Sequence, residues 1–123
     1  MAKRILFVED DTIEREAYQH QLEKAGFAIS VAGSGPKAIE LLEKEKIDLV
    51  VLDIMIPGFD GFHVLEKMKE IPKSSETPVI VLTNLDEDKF LRRALKTGAT
   101  EYLIKANTLP AQVVSHIKKL LSN

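Results

Sequence analysis

The chain has 123 residues, of which 45% are hydrophobic, and this length corresponds to one domain, residues 1–123, with a single core. Its 17 basic and 19 acidic side chains leave a net charge of −2, which argues against direct nucleic-acid binding. The chain has no cysteine for disulfides or thiolate metal sites, and its apolar runs fall short of the roughly 20 residues of a membrane helix. We therefore expect a cytoplasmic protein without membrane contact.

Five short apolar runs predict strands, and helical patterns separate them. Four of the runs are bounded and almost wholly apolar, which is typical of buried parallel strands. The second run alternates more and predicts a less buried edge strand. In chain order the runs are Ile5–Val8, Phe27–Val31, Leu49–Leu52, Val79–Leu82 and Tyr102–Ile104.

Each predicted strand is followed by a helical pattern with a recognisable start. The first start is a capping box made by Asp11 and Glu14, and the others are Ser34, Asp60, Asp86 and Pro110. The apolar stripe of the first helix is predicted to be Ile13, Ala17, Leu22 and Ala25, and that of the fourth Phe90, Leu91, Ala94 and Leu95. The polar stretch 69–77 predicts a surface loop.

This alternation predicts an α/β fold of the (βα)5 type. Right-handed crossovers place helices on both faces of a parallel sheet, which gives a three-layer sandwich. The carboxyl ends of all the strands then meet at one edge, where open α/β sheets bind their ligands.

Polar side chains stand at that edge, directly after four of the apolar runs. They are Glu9, Asp10, Asp53, Thr83 and Lys105. Taken singly, each acid is as well explained as a cap of the next helix or turn, and the threonine and lysine as ordinary strand-end residues. Taken together, acids, a hydroxyl and a lysine predict a phosphoryl site that depends on a divalent cation.

The acids have distinct predicted roles at such a site. Glu9, Asp10 and Asp53 would repel one another without a counter-ion, and Mg²⁺ accepts carboxylate oxygens while keeping positions for phosphate. Asp53 follows the central strand and is the best nucleophile, because a carboxylate can attack phosphorus to form an acyl phosphate. Thr83 and Lys105 would then contact the phosphoryl oxygens through a hydroxyl and a positive charge.

The ordered set of motifs resembles the receiver domain of bacterial two-component response regulators over the whole chain. The matching pieces are Ile5–Asp10, Leu49–Pro57, Asp60-Gly61, Thr77–Thr83, Gly98-Ala99 and Tyr102–Lys105. The resemblance implies a flavodoxin-like fold with strand order 2-1-3-4-5. It also implies a signalling switch, in which a sensor histidine kinase donates a phosphoryl group and the changed surface regulates a partner protein.

The resemblance assigns a role to each site residue. Asp53 would be the phospho-acceptor, and the ligands of Mg²⁺ would be Glu9, Asp10, Asp53 and the backbone carbonyl of Met55. Thr83 and Tyr102 would form the switch pair, and Lys105 would sense the phosphate. The partner would bind the face made by the fourth helix, fifth strand and fifth helix, where Lys89, Arg92, Arg93 and Lys96 are either solvated or part of the contact.

Two positions depart from the family pattern. Ala106 stands where the family usually has proline after the lysine, and we expect a trans peptide bond there, because a cis bond before a non-proline residue costs about 3 kcal/mol. Asn84 stands where a small residue usually follows the threonine, and it could narrow donor access. Two apolar residues, Met55 and Leu85, would flank the approach of hydrolytic water and could tune the rate of phosphate loss together with Asn84.

Three other functions compete with the switch. An aspartyl-phosphate phosphatase would need an acid two residues after its nucleophile, where this chain has Met55, so we expect no enzyme. A flavin-mononucleotide carrier needs an anion-binding loop after the first strand, where Glu9 and its two acidic neighbours would repel phosphate. A pseudo-receiver that only binds partners is opposed by the complete set of acids, threonine and lysine.

Overall fold

The computed structural model describes residues 2–122, in which five strands and five helices alternate. The strands are β1 (Arg4–Val8), β2 (Ala28–Ala32), β3 (Leu49–Leu52), β4 (Val79–Thr83) and β5 (Glu101–Ile104). The helices are α1 (Thr12–Lys24), α2 (Gly35–Lys44), α3 (Gly61–Met68), α4 (Asp88–Thr97) and α5 (Pro110–Leu121). A short 3-10 turn, Lys105–Asn107, follows β5. No helix within residues 2–122 combines the length and apolarity needed to cross a membrane.

All five strands are parallel and lie in the order β2-β1-β3-β4-β5, which confirms the predicted flavodoxin-like fold. The chain moves outward from β1 to β2 and then returns to β3 on the other side of β1. The strand order therefore reverses between β1 and β3, and ligands bind beside such a reversal in open α/β sheets. As predicted, β2 is a partly exposed edge strand.

The sheet separates two apolar clusters because successive strand residues point to opposite faces. Ile5 and Phe7 pack with α1 and α5 on one face. Leu6 and Val8 pack with α2, α3 and α4 on the other. Every residue of β3 is buried, which fixes this central strand between both layers.

The predicted inner stripe of α1 is wrong at its first two positions. Ile13 is 82% exposed and Ala17 is also exposed, whereas Tyr18 and Leu22 are the buried residues of this helix. The ring of Tyr18 stacks on Phe7, with 5.0 Å between centroids. Positions 18 and 22 are four apart and share one helix face, and Ile13 lies off that face.

The predicted start of α4 is also wrong. The helix begins at Asp88, its N-cap residue is Glu87, and no side chain caps it. Asp86 instead lies in the loop between β4 and α4. The carbonyl oxygen of the preceding Leu85 accepts a hydrogen bond from the hydroxyl of Tyr102, which ties this loop to β5. The stripe of α4 is narrower than predicted, since Ala94 is buried but Leu95 is 45% exposed.

Two further connections differ from the prediction in detail. The N–H of Phe27 donates to Leu22, closing the end of α1, so β2 starts one residue later than predicted. The polar loop 69–77 holds a buried Ser74, whose hydroxyl donates to the carbonyl oxygen of Met68 at 2.9 Å. That bond satisfies a carbonyl at the end of α3.

The loop between β3 and α3 is tightly confined, and it carries the residues that follow Asp53. Gly58 has φ +87°, and a Cβ there would lie 2.5 Å from Cδ of Pro36. A Cβ at Gly61 would lie 2.7 Å from the carbonyl oxygen of Asp53. Both positions need glycine for close approach, so the backbone around Asp53 has little freedom to move.

Candidate functional site

The sheet brings the predicted polar residues together at its carboxyl edge. Val8 pairs with Leu52 in neighbouring strands, and the N–H of Asp53 donates to the carbonyl oxygen of Val8 at 3.1 Å. Thr83 pairs with Ile104, the residue before Lys105. Glu9, Asp53 and Thr83 are buried here, whereas Asp10 is exposed.

Lys105 is the electrostatic centre of the site. Its ammonium donates hydrogen bonds to Oε1 of Glu9 and, at 3.0 Å, to Oδ2 of Asp53. Its side chain is only 11% exposed, so water screens these contacts weakly. The lysine therefore serves as the counter-charge of the buried carboxylates.

In this cluster, burial shifts the pKa of Glu9 or Lys105 in one direction, and hydrogen bonding between the charged groups shifts it in the opposite direction. Burial raises the pKa of Glu9 above its usual value, although the hydrogen bond from Lys105 counteracts part of that rise. Burial alone would lower the pKa of Lys105, but its hydrogen bonds to Glu9 and Asp53 and their charges raise it overall. Lys105 is thus held in its charged form across the physiological range.

Glu14 adds a carboxylate that sequence reasoning did not assign to the site. Its Oε1 lies 3.7 Å from Nζ of Lys105, and its side chain is 43% exposed. The capping box is half formed, because the side chain of Asp11 accepts from the N–H of Glu14, while the N–H of Asp11 donates to Glu9. Glu14 stands three residues after the N-cap residue Asp11, in the first turn of α1, and this turn faces the site.

Arg15 is a second residue that the sequence did not reveal. Its Nη1 donates to the backbone carbonyl oxygen of Glu9 at 3.0 Å. An arginine on an amphipathic helix carries no signal for such a contact. The bond fixes the backbone of the loop that presents Glu9 and Asp10.

The acids form a group that fits a hard cation. One carboxylate oxygen from each of Glu9, Asp10 and Asp53 lies within 4.8 Å of the others. Oxygen ligands from two buried carboxylates and one exposed one suit Mg²⁺, which retains waters on its open side. The N–H of Met55 donates to Oδ1 of Asp53 at 3.1 Å, so the loop after β3 also shapes this group.

Thr83 and Tyr102 meet at the loop after β4. Oγ1 of Thr83 accepts from the N–H of Leu85 at 3.4 Å, and the hydroxyl of Tyr102 donates to the carbonyl oxygen of Leu85 at 2.6 Å. The Tyr102 ring is half-buried, and burial raises the pKa of its hydroxyl. The two predicted switch residues are therefore linked through one backbone segment.

The two residues that depart from the family pattern, Asn84 and Ala106, are hydrogen-bonded to each other. Oδ1 of Asn84 accepts from the N–H of Ala106 at 2.9 Å. The peptide bond before Ala106 is trans, as predicted, and opens the 3-10 turn. Of the two apolar residues predicted to tune phosphate loss, Met55 is 61% exposed and Leu85 packs partly against the core.

Comparison with known proteins agrees with this fold. A family model described as "Response regulator receiver domain" matches residues 5–118. The chain is 36% identical to the probable transcriptional regulator ycf29 of Porphyra purpurea, over 98% of this chain and 57% of that protein. The chain thus spans little more than half the length of this relative.

Solved structures give the same result. A CheY-like receiver domain protein from Methanospirillum hungatei JF-1 has a TM-score of 0.92 and 27% identity, covering 99% of this chain and 95% of that one. The BeF3-activated N-terminal receiver domain of Klebsiella pneumoniae RstA has a TM-score of 0.89 and 33% identity, covering 98% and 100%. The chain belongs to the receiver domain family of two-component response regulators.

Replacing Lys105 by Met tests the electrostatic role of this lysine. The variant leaves Glu9 and Asp53 buried without their counter-charge, so we expect the free energy of unfolding at pH 7 to fall by about 1–3 kcal/mol. The difference in the free energy of unfolding between the variant and the wild type should become smaller as pH falls through the raised pKa of Glu9, because protonation of Glu9 removes its unpaired charge. Urea unfolding at pH 7 and pH 4 measures both effects. Lys96→Met on the exposed face of α4 is the matched control, and an equal loss in the two variants would contradict the prediction.

Proposed function

We propose that the chain is a phosphorylation-controlled signalling switch that accepts a phosphoryl group on Asp53 from a sensor histidine kinase. The observation that carries this proposal is the contact of Asp53 with Lys105 inside a group of three carboxylates at the sheet edge. A buried aspartate held by a lysine and lying beside a cation-binding group has what a phosphoryl acceptor requires: a nucleophilic oxygen and neighbouring positive charge.

The chain's own residues prepare Asp53 for the transfer. One carboxylate oxygen of Asp53 accepts from Met55, and the other accepts from Lys105. An oxygen of Asp53 attacks the phosphorus, and the bond from phosphorus to the donor's imidazole nitrogen breaks, with its electron pair leaving on that nitrogen. Lys105 then offers its charge to the new phosphoryl oxygens, and the buried hydroxyl of Thr83 offers a hydrogen bond.

We further propose that Glu9, Asp10 and Asp53 hold Mg²⁺, with the carbonyl of Met55 as an additional ligand. When bound, the cation supplies positive charge against the phosphoryl oxygens as negative charge develops on them. Glu9 and Asp53 are already oriented by Lys105 and by the backbone of Asp11 and Met55. These contacts reduce the reorganisation that cation binding requires.

The switch itself is proposed to operate through the loop after β4. A phosphoryl group on Asp53 would draw the hydroxyl of Thr83 toward it and away from Leu85. The carbonyl oxygen of Leu85 already accepts a hydrogen bond from the hydroxyl of Tyr102, so this contact is available without phosphate. Phosphorylation would therefore increase the population of one packing over another and not create a new one.

The proposed output surface is the face formed by α4, β5 and α5. Tyr102 belongs to β5 in this face, and Lys89, Arg92 and Lys96 are exposed on α4. We propose that an unidentified protein partner binds there, that the domain works in the cytoplasm, and that neither nucleic acid nor membrane is contacted directly. The phosphatase alternative gains no support from the geometry, because the exposed side chain two residues after Asp53 is a methionine.

Asp53 should gain one phosphoryl group when the protein is incubated with acetyl phosphate and Mg²⁺. Intact-mass measurement should show the modification in the wild type and not in Asp53→Ala. Asp10→Asn should react far more slowly, because the exposed acid contributes to the cation site. Modification at another residue would overturn the assignment of Asp53, and an unmodified protein, with a cognate kinase also tried, would favour the pseudo-receiver. An Asp10→Asn rate equal to that of the wild type would overturn the proposed metal site.

Beryllofluoride, a phosphoryl mimic, should change backbone chemical shifts as far as residues 86–105. The RstA receiver domain was solved in a BeF3-activated form, which makes this probe suitable here. Thr83→Ser keeps the hydroxyl and should preserve the distal shifts. Thr83→Val keeps the side-chain shape but removes the hydroxyl, and should confine the shifts to the pocket loops. Shifts confined to the pocket in the wild type would refute the proposed coupling.

Polar residues at the two apolar positions beside the site should shorten the lifetime of the phosphorylated protein. Met55→Asn combined with Leu85→Glu would offer two hydrogen bonds to an in-line water, each worth about 1 kcal/mol, so we expect about thirtyfold faster decay. The decay is followed by mass spectrometry after removal of the donor. Leu95→Glu on α4 serves as the remote control, and unchanged or slower decay in the double variant would rule out the role of Met55 and Leu85.

A further inference from the structure

The hydrogen bond between Asn84 and Ala106 acts directly on the backbone of Lys105. The donor is the nitrogen of the peptide bond that Lys105 forms with Ala106, and its distance to Oδ1 of Asn84 is 2.9 Å. The carbonyl oxygen of the same peptide bond accepts from the N–H of Thr108 at 3.3 Å. The N–H and the C=O of the peptide bond that follows Lys105 are therefore both hydrogen-bonded.

The Asn84 contact supplies an acceptor that the turn itself lacks. The first N–H groups of a helical turn have no partner within the turn, and a side-chain carbonyl can satisfy one of them. The side chain of Ala106 is exposed, so this residue contributes to the contact through its backbone amide. Because proline has no N–H, the contact requires a residue other than proline at position 106.

The bond also joins the two loops that approach Asp53 from the β4–β5 side. Asn84 directly follows Thr83, and Ala106 directly follows Lys105. A second bond, from the hydroxyl of Tyr102 to Leu85, links the same loop to β5. The loop after β4 is thus tied to the chain on both sides of Lys105.

We propose that Asn84 is a positioning residue that sets the orientation of Lys105 through the amide of Ala106. The lysine side chain leaves a backbone held in this way and places its ammonium between Glu9 and Asp53. The consequence for phosphoryl binding rests on the proposed function, but the placement of the lysine does not. Asn84 then acts on the site through Lys105, and not by narrowing the entrance.

The first measurement follows the unphosphorylated protein by NMR. In Asn84→Ala, the amide proton of Ala106 should exchange faster with solvent, and the side-chain ammonium resonance of Lys105 should shift. Asn107→Ala, an exposed residue of the same turn, is the matched control and should leave both signals in place. Faster exchange without any change at Lys105 would overturn the positioning role, as would no change in either signal.

The second measurement is the beryllofluoride concentration that half-saturates the protein with Mg²⁺ present. Losing one hydrogen bond that orients Lys105 should raise this concentration about threefold to tenfold in Asn84→Ala. Asn107→Ala keeps both partners of the Asn84–Ala106 hydrogen bond and should bind like the wild type. In a Lys105→Met background, Asn84→Ala should have no further effect. The same loss in that background would show that Asn84 acts without Lys105, and would overturn the proposal.

The two proposals fail separately. A wild-type protein that binds no beryllofluoride and gains no phosphoryl group overturns the proposed function, and the NMR comparison at Lys105 still decides the role of Asn84. Urea unfolding of Asn84→Ala and Asn107→Ala checks that any effect on Lys105 does not reflect a general loss of stability.

Discussion

The ion cluster around Lys105 is the interaction on which the arrangement of the site depends. Two carboxylates, Glu9 and Asp53, are buried at the end of the sheet, a position that is costly for charge unless it is paired. Lys105 supplies the pairing from the turn after β5, and β5 lies two strands away from β3, the strand that precedes Asp53. The cluster therefore joins elements that are distant in sequence and fixes the edge where the loops emerge.

This cluster also determines how the site can respond to ligands. Glu9, Glu14 and Asp53 outnumber Lys105, the lysine that they share, so the group carries excess negative charge. On the proposed function, a phosphoryl group on Asp53 would bring new negative charge beside the same lysine. A bound cation and the phosphoryl group would then offset each other's charge, which would favour their binding together over either alone.

The fold and the meeting of the polar residues at the sheet edge could be predicted because the relevant signals are local. Apolar runs ended by polar residues mark buried strands and their carboxyl ends, where the structure brings Asp53 and Lys105 into contact. Contacts made by side chains in helices or loops were missed, because their partners are set by packing. Glu14, for example, was expected as half of a capping box and instead lies beside Lys105. Aspartate is a residue type that is favoured at N-caps, but Asp86 lies in the loop before α4, next to Leu85, which is hydrogen-bonded to Tyr102.

The neutral hydrogen bonds around the site and the hydrogen bonds to its charged groups differ in strength. A neutral hydrogen bond such as that of Asn84 or Tyr102 contributes about 1 kcal/mol, which changes a two-state population about fivefold. Hydrogen bonds to a charged group contribute about 1.5–3 kcal/mol each, so a phosphoryl group that gains several of them outweighs any one loop contact. On the proposed function, the charged site would select the state, and neutral contacts around it would adjust how easily that state is reached. Asn84 and Ala106, which follow Thr83 and Lys105, suit this adjustment, because their side chains are exposed and can change without disturbing the core.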